Sequence, residues 1–186
     1  MQFTLYYRGS LKSGNSAKAL HKHEVRQHFH CQLKNLWEES PLSSFHHFLE
    51  QPGEGNLSLL EQKGLFTFVP LISERNFSVA ELDLSILWPQ PPGAILSSSG
   101  DIDNRLKTLL DALKYPSETN ALPEGIVPTE DEKPFFCLLQ DDSLITRLSV
   151  ETDRLLEPVT DPSEVILSIR VKVRLLKRVA GNMGLP

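Results

Sequence analysis

Residues 165–173 carry Val165, Leu167, Ile169, Val171 and Val173 at every second position, with Ser168, Arg170 and Lys172 between them. Only an extended strand, whose side chains alternate with period two, turns that spacing into one apolar and one wet face. Residues 79–88 repeat the pattern, with Leu82, Leu84, Ile86 and Trp88 set against Glu81, Asp83 and Ser85. Two such strands require a sheet covered on one face. Residues 3–7, 65–70 and 144–150 supply further β-rich runs. Over residues 17–37 the period changes: Val25, Phe29, Leu33 and Leu36 recur on one helical face. Strands lying next to strands, with helices interspersed irregularly, predict an α+β fold. The expected architecture is a mixed, largely antiparallel sheet with a long N-terminal helix and a short second helix, in a single domain over 1–186.

The second helix belongs to GDIDNRLKTLLDAL, residues 100–113. Leu106, Leu109, Leu110 and Leu113 form its apolar face, leaving Arg105, Lys107, Thr108 and Asp111 on the other. Asp103 is a suitable N-cap, since its carboxylate can accept from free amides at the helix start. Capping needs one aspartate, and Asp101 is a second. Hard cations such as Mg²⁺ take oxygen ligands and are bound through one or two carboxylates plus phosphate oxygens. If the segment is extended, Asp101 and Asp103 share a face and converge on one ion. Asp142 or its neighbour Asp141, opening a distant strand, would complete the half-shell. Lys107 lies one helical turn beyond Asp103, placed to stabilise charge at a phosphodiester. A calcium-binding loop is excluded, because Arg105, Leu106 and Ala112 stand where it needs an oxygen ligand, a glycine and a glutamate. No phosphate-binding GxxxxGK[ST] loop is present.

The net charge of −5 conceals an asymmetry. Residues 1–35 hold six Lys/Arg and one Glu, and residues 165–186 hold five Lys/Arg and no acid, leaving 36–164 at −15. An acidic metal site flanked by cationic surfaces suits a polyanion. Arg26, His30 and Lys34, with His23, are expected to form a cationic flank of the first helix, and Arg170 and Lys172 a second DNA-binding surface. His21, His23, His28 and His30 suggest zinc, but each i, i+7 pair is separated by roughly 10 Å along a helix, too far for a compact site. They are read as partly protonated surface histidines near a polyanion. Cys31 and Cys137 belong to no CxxC pair and are read as small buried residues. No apolar run approaches the ~20 residues of a membrane span. The N-terminal residues lack the order of a secretory signal, so a cytoplasmic location is expected. Residues 114–140 carry four prolines and the acids Glu118, Glu124, Glu130, Asp131 and Glu132, and read as a long, mobile surface loop.

The combination of DIDN, Lys107, Asp111 and a later Asp141–Asp142 pair resembles the RusA family of Holliday junction resolvases. The resemblance covers the core from about residue 79 to the last strand. It implies a homodimeric, Mg²⁺-dependent endonuclease, with Mn²⁺ as a possible substitute, resolving branched DNA in recombination and repair. It further implies that Asp101, Asp103 and Asp142 bind metal, that Lys107 is catalytic, and that Asn104, Asp111 and Asp141 support them. Two alternatives remain open: a non-catalytic DNA-binding protein of the same fold, and a metal-dependent phosphotransfer enzyme acting on another nucleic acid or nucleotide. In the family the motif helix and the aspartate pair are joined by a short connection, whereas here 114–140 intervenes.

Overall fold

The computed structural model describes residues 1–12, 18–53, 57–89, 102–118 and 121–185. Seven strands and two α-helices are found among them: β1 (Gln2–Ser10), α1 (Ala19–Glu38), β2 (Glu61–Lys63), β3 (Phe66–Ile72), β4 (Ser78–Trp88), α2 (Ile102–Leu113), β5 (Phe135–Leu139), β6 (Ile145–Arg154) and β7 (Glu164–Leu175). The fold is α+β. In place of the single sheet expected, the strands form two sheets, one ordered β1-β7-β4-β6 and one ordered β2-β3-β5.

In the larger sheet β7 pairs antiparallel with both β1 and β4, while β4 and β6 run parallel. A parallel pair needs a long crossover, and the chain from α2 through β5 supplies it. The alternation in β7 is realised as predicted: Val165, Leu167, Ile169, Val171 and Val173 are all buried, while Arg170 and Lys172 are exposed. Leu82, Leu84, Ile86 and Trp88 join them from β4. Each such side chain contributes about 1.5–3 kcal/mol on leaving water. The opposite face is wet.

Helix α1 buries Val25, Phe29, Leu33 and Trp37, a helical stripe close to the expected one. It also buries His23, Arg26 and His30, which the sequence pattern assigned to a cationic flank, and His21, which was expected at the surface. For His23 and His30 the cause is the second sheet, and for Arg26 it is also the end of α2. The wholly apolar β5, FFCLL, packs on that side of α1, so the helix has two buried sides. The imidazoles contribute ring contacts there, His30 to Phe135 at 4.4 Å and His23 to Phe66 at 5.5 Å between centroids. Cys31, expected inside, is exposed, whereas Cys137 is buried.

The segment 114–140 is also not merely a surface loop. Tyr115 and Leu122 build a small second core with Phe66, Phe68, Phe135 and Cys137, and Ile126 packs against it. The buried Glu132 is tied to α1 by Gln27, whose side-chain amide donates to it at 2.7 Å, and it accepts from the Thr129 amide at 2.8 Å. Acidic residues that looked like disorder signals in the sequence serve here as a cap and a tether. None of the described helices is long and apolar enough to cross a membrane.

Candidate functional site

Helix α2 begins at Ile102, so Asp103 sits inside the first turn, and its Oδ1 accepts from the Asn104 amide at 2.7 Å. Asp101 lies outside the described residues. Asp103 is helical, so the extended backbone on which its convergence with Asp101 was expected is not the one it adopts. The buried face of α2 is Arg105, Thr108, Leu109, Ala112 and Leu113, with Leu106 and Leu110 only partly buried. This face is turned relative to the all-leucine stripe because Arg105 points inward. Its Nη1 donates to the Leu11 carbonyl at 2.6 Å, and its guanidinium lies 5.3 Å from the Trp88 ring centre. With those residues inside, Asp103 and Lys107 face solvent one turn apart.

The other end of α2 carries a denser cluster. Lys114 Nζ lies 3.2 Å from Asp142, and 3.9 Å from both Asp141 and Asp111. Lys22 of α1 pairs with Asp111 at 2.6 Å. Hydrogen bonds from Ser143, its amide at 3.0 Å, hold the Asp141 carboxyl below the ordinary range, and Lys114 adds to the effect. Beneath the cluster, Arg26 donates from Nε to the Lys114 carbonyl at 3.0 Å and from Nη2 to the Asp111 carbonyl at 2.9 Å. Those are the free carbonyls of a helix end. Burial lowers the Arg26 pKa to about 10, so it stays charged at neutral pH.

The expected carboxylates thus divide into two groups among the described residues. Asp103 stands at the start of α2, and Asp111, Asp141 and Asp142 surround Lys114 at its end. Eight residues of helix separate Asp103 from Asp111 by about 12 Å. No set of three or more His, Cys, Asp or Glu side chains among the described residues is gathered to hold a metal ion. Lys22, Arg26 and Lys114 were missed as partners of these acids; the one available signal was Lys114 at i+3 from Asp111 on the same helix.

The DNA-binding expectations divide as well. Neither Arg26 nor His30 is a DNA contact: both are 3% exposed, Arg26 beneath the end of α2 and His30 against β5, and out of reach of a phosphate. His30 accepts at Nδ1 from the Phe136 amide at 2.8 Å, and its Nε2 meets the Asp131 carbonyl at 3.0 Å. That pairing fixes a neutral ring with the proton on Nε2. Lys34 is partly exposed and paired with Asp131 at 3.2 Å. Arg170 and Lys172 do lie on the wet sheet face, where Lys172 meets Glu81 at 3.5 Å. Arg174 and Arg147 approach the same carboxylate at 2.8 and 3.8 Å, and Arg147 also binds Asp83 at 2.7 Å.

The buried histidines have a measurable consequence. Burial lowers the pKa of His21 and His30, and takes that of His23 from 6.5 to about 4. The unfolded chain therefore binds protons that the folded chain refuses, and stability falls as pH drops below 6.5. His23 alone contributes a slope approaching 1.4 kcal/mol per pH unit between pH 6.5 and about 4. Neither of its ring nitrogens has a hydrogen-bond partner among the described residues. His23→Phe is accordingly expected to flatten the profile, read by denaturant unfolding at pH 7 and pH 5, at little cost at neutral pH.

Comparison with known protein families, with characterised proteins and with solved structures finds no match to this chain.

Proposed function

We propose that this protein is a Mg²⁺-dependent, structure-selective DNA endonuclease of the RusA type, acting on four-way junctions as a homodimer. The observation that carries the reading is the placement of Asp103 and Lys107, both exposed and one turn apart at the start of α2, with Asp103 inside the DIDN motif. Asp101, Asp103 and Asp142 would hold Mg²⁺ (or Mn²⁺), which supplies activation of a water and neutralisation of phosphodiester charge. The donor chemistry suits such an ion: oxygen ligands only, with Asp103 in solvent and the Asp142 side chain 45% exposed. Asp103 and Asp142 stand in separate groups at the two ends of α2, so Asp142 must leave Lys114 and close on the start of the helix before both reach one ion. Lys107 stabilises the charge that develops on the phosphate. Arg170 and Lys172 hold backbone phosphates through sequence-independent contacts, so binding weakens steeply with salt.

A second reading, a DNA-binding protein of this fold without catalysis, draws support from Lys114, which already neutralises Asp142. Competition among labelled four-way junction, duplex, single strand, RNA and nucleotides in Mg²⁺ tests both. Metal-dependent nicking confined to the junction supports the nuclease. Junction binding without nicking under any divalent ion supports the non-catalytic protein, and turnover of RNA or nucleotide alone refutes both.

A further inference from the structure

The two edges of the larger sheet are treated differently. At the β1 edge, the Tyr6 amide donates to Gln32 Oε1 at 2.9 Å, and the Tyr6 carbonyl is met by Gln32 Nε2 at 2.7 Å and His28 Nε2 at 3.1 Å. Side chains of α1 thus occupy the main-chain groups through which another strand would pair. At the β6 edge the described residues supply nothing comparable: among them β6 pairs with β4 alone, and no other segment bonds to its outer side. Leu148, in register with the buried Leu82, is 39% exposed on this edge. A long strand with unpaired main-chain groups is a template for pairing.

The sequence of β6, ITRLSVETDR, is complementary to itself. In an antiparallel pair about a two-fold axis, opposed residues must share a sheet face and a hydrogen-bonding direction, which allows only registers that match odd residues with odd and even with even. Centring the axis on Ser149 sets Arg147 opposite the second copy's Glu151, and Glu151 opposite its Arg147. On the other face it sets Leu148 opposite Val150 twice; Thr146 is the extra residue of a bulge against β4 and lies outside the regular ladder. Opposite charges and apolar side chains across a strand pair are both favourable. Arg147 bridges Asp83 within its own chain, so Glu151 would gain a partner without Arg147 losing one.

We infer that β6 is the homodimer interface: two copies join antiparallel over residues 147–151, the regular stretch beyond the bulge, centred on Ser149, into one continuous sheet about the two-fold axis. The ladder is about 17 Å long. It carries the wet faces of both sheets, with Arg170 and Lys172 of each copy, onto a single surface. The inference deepens the proposed function by naming the dimer contact, but association is measured without DNA or metal, so failure of the interface and failure of catalysis are read separately.

Sedimentation of the full chain at tens of micromolar should give a dimer. In a Cys31→Ser background, which removes the exposed thiol, Ser149→Cys should oxidise to a cross-linked dimer, because opposed Cα atoms in such a pair lie within disulfide reach. Glu151→Cys, opposed to position 147 and not to itself, should not cross-link. Glu151→Arg should weaken association about tenfold with an unchanged melting temperature of the monomer, through like charges directly opposed. A monomer at every concentration, equal cross-linking at 149 and 151, or undiminished association of Glu151→Arg would each overturn the interface. In the first case the charges on β6 serve only to keep the edge unpaired.

Discussion

Asp103→Asn should lower junction cleavage at least about 100-fold, equivalent to about 2.7 kcal/mol of transition-state stabilisation, while junction affinity stays within about twofold. The substitution keeps size and the hydrogen bond to the Asn104 amide, so the helix start is preserved. What it removes is a charged oxygen ligand in solvent. Lys107→Met should fall by a similar factor through loss of charge at the phosphate. Asp142 is the discriminating position. If it is a metal ligand, Asp142→Asn abolishes cleavage and leaves stability nearly intact, because Asp142 itself is half-exposed and Lys114 keeps Asp111 and Asp141 as partners, so the loss is at most about 1 kcal/mol. If it serves only Lys114, Asp142→Asn and Lys114→Met behave alike in thermal melts and both retain cleavage. Single-turnover nicking in Mg²⁺, paired with a binding assay in Ca²⁺, separates these outcomes.

Arg26→Met should destabilise the fold by about 3 kcal/mol, or roughly 10 °C in melting temperature for a chain of this size. Methionine fills much of the space but strands the carbonyls of Asp111 and Lys114, which Arg26 pairs at the end of α2. Each unpaired buried acceptor costs about 1–3 kcal/mol, offset in part by relief of burying the guanidinium. Arg26→Lys should recover little, since one ammonium cannot reproduce the two-pronged geometry. Were Arg26 a phosphate contact, its loss would weaken DNA binding and leave unfolding unchanged; denaturant titration beside DNA titration distinguishes the two. Lys34→Met, at the partly exposed pair with Asp131, should change stability by less than about 0.5 kcal/mol.

The elements most legible in the sequence were those whose burial follows one periodicity. In β7 and β4, alternation determined both the strand and its wet face, because a half-covered sheet leaves each side chain only two choices. In α1 the stripe of Val25, Phe29 and Leu33 was equally clear. The polar flank of that helix was misread because a helical pattern reveals one apolar stripe, and a second buried side built from His23, Arg26 and His30 carries no hydrophobic signature. Its cover, β5, is more than 100 residues further along the chain. The same limit applies to 114–140, where composition suggested disorder while Tyr115 and Leu122 were finding a core on β3 and β5.

The motif GDIDNRLKTLLDAL, by its local spacing alone, determined that a short helix would present Asp103 and Lys107 one turn apart. It also supplied, through its resemblance, the expectation of a metal-bound nuclease. Only the tertiary structure decided which charges meet across the chain: Lys114 with Asp111, Asp141 and Asp142, and Arg26 beneath them. The physical reason is one of range. Helical and strand periodicity are set by neighbours within a few residues, whereas the pairing of a carboxylate depends on which distant surfaces exclude water around it.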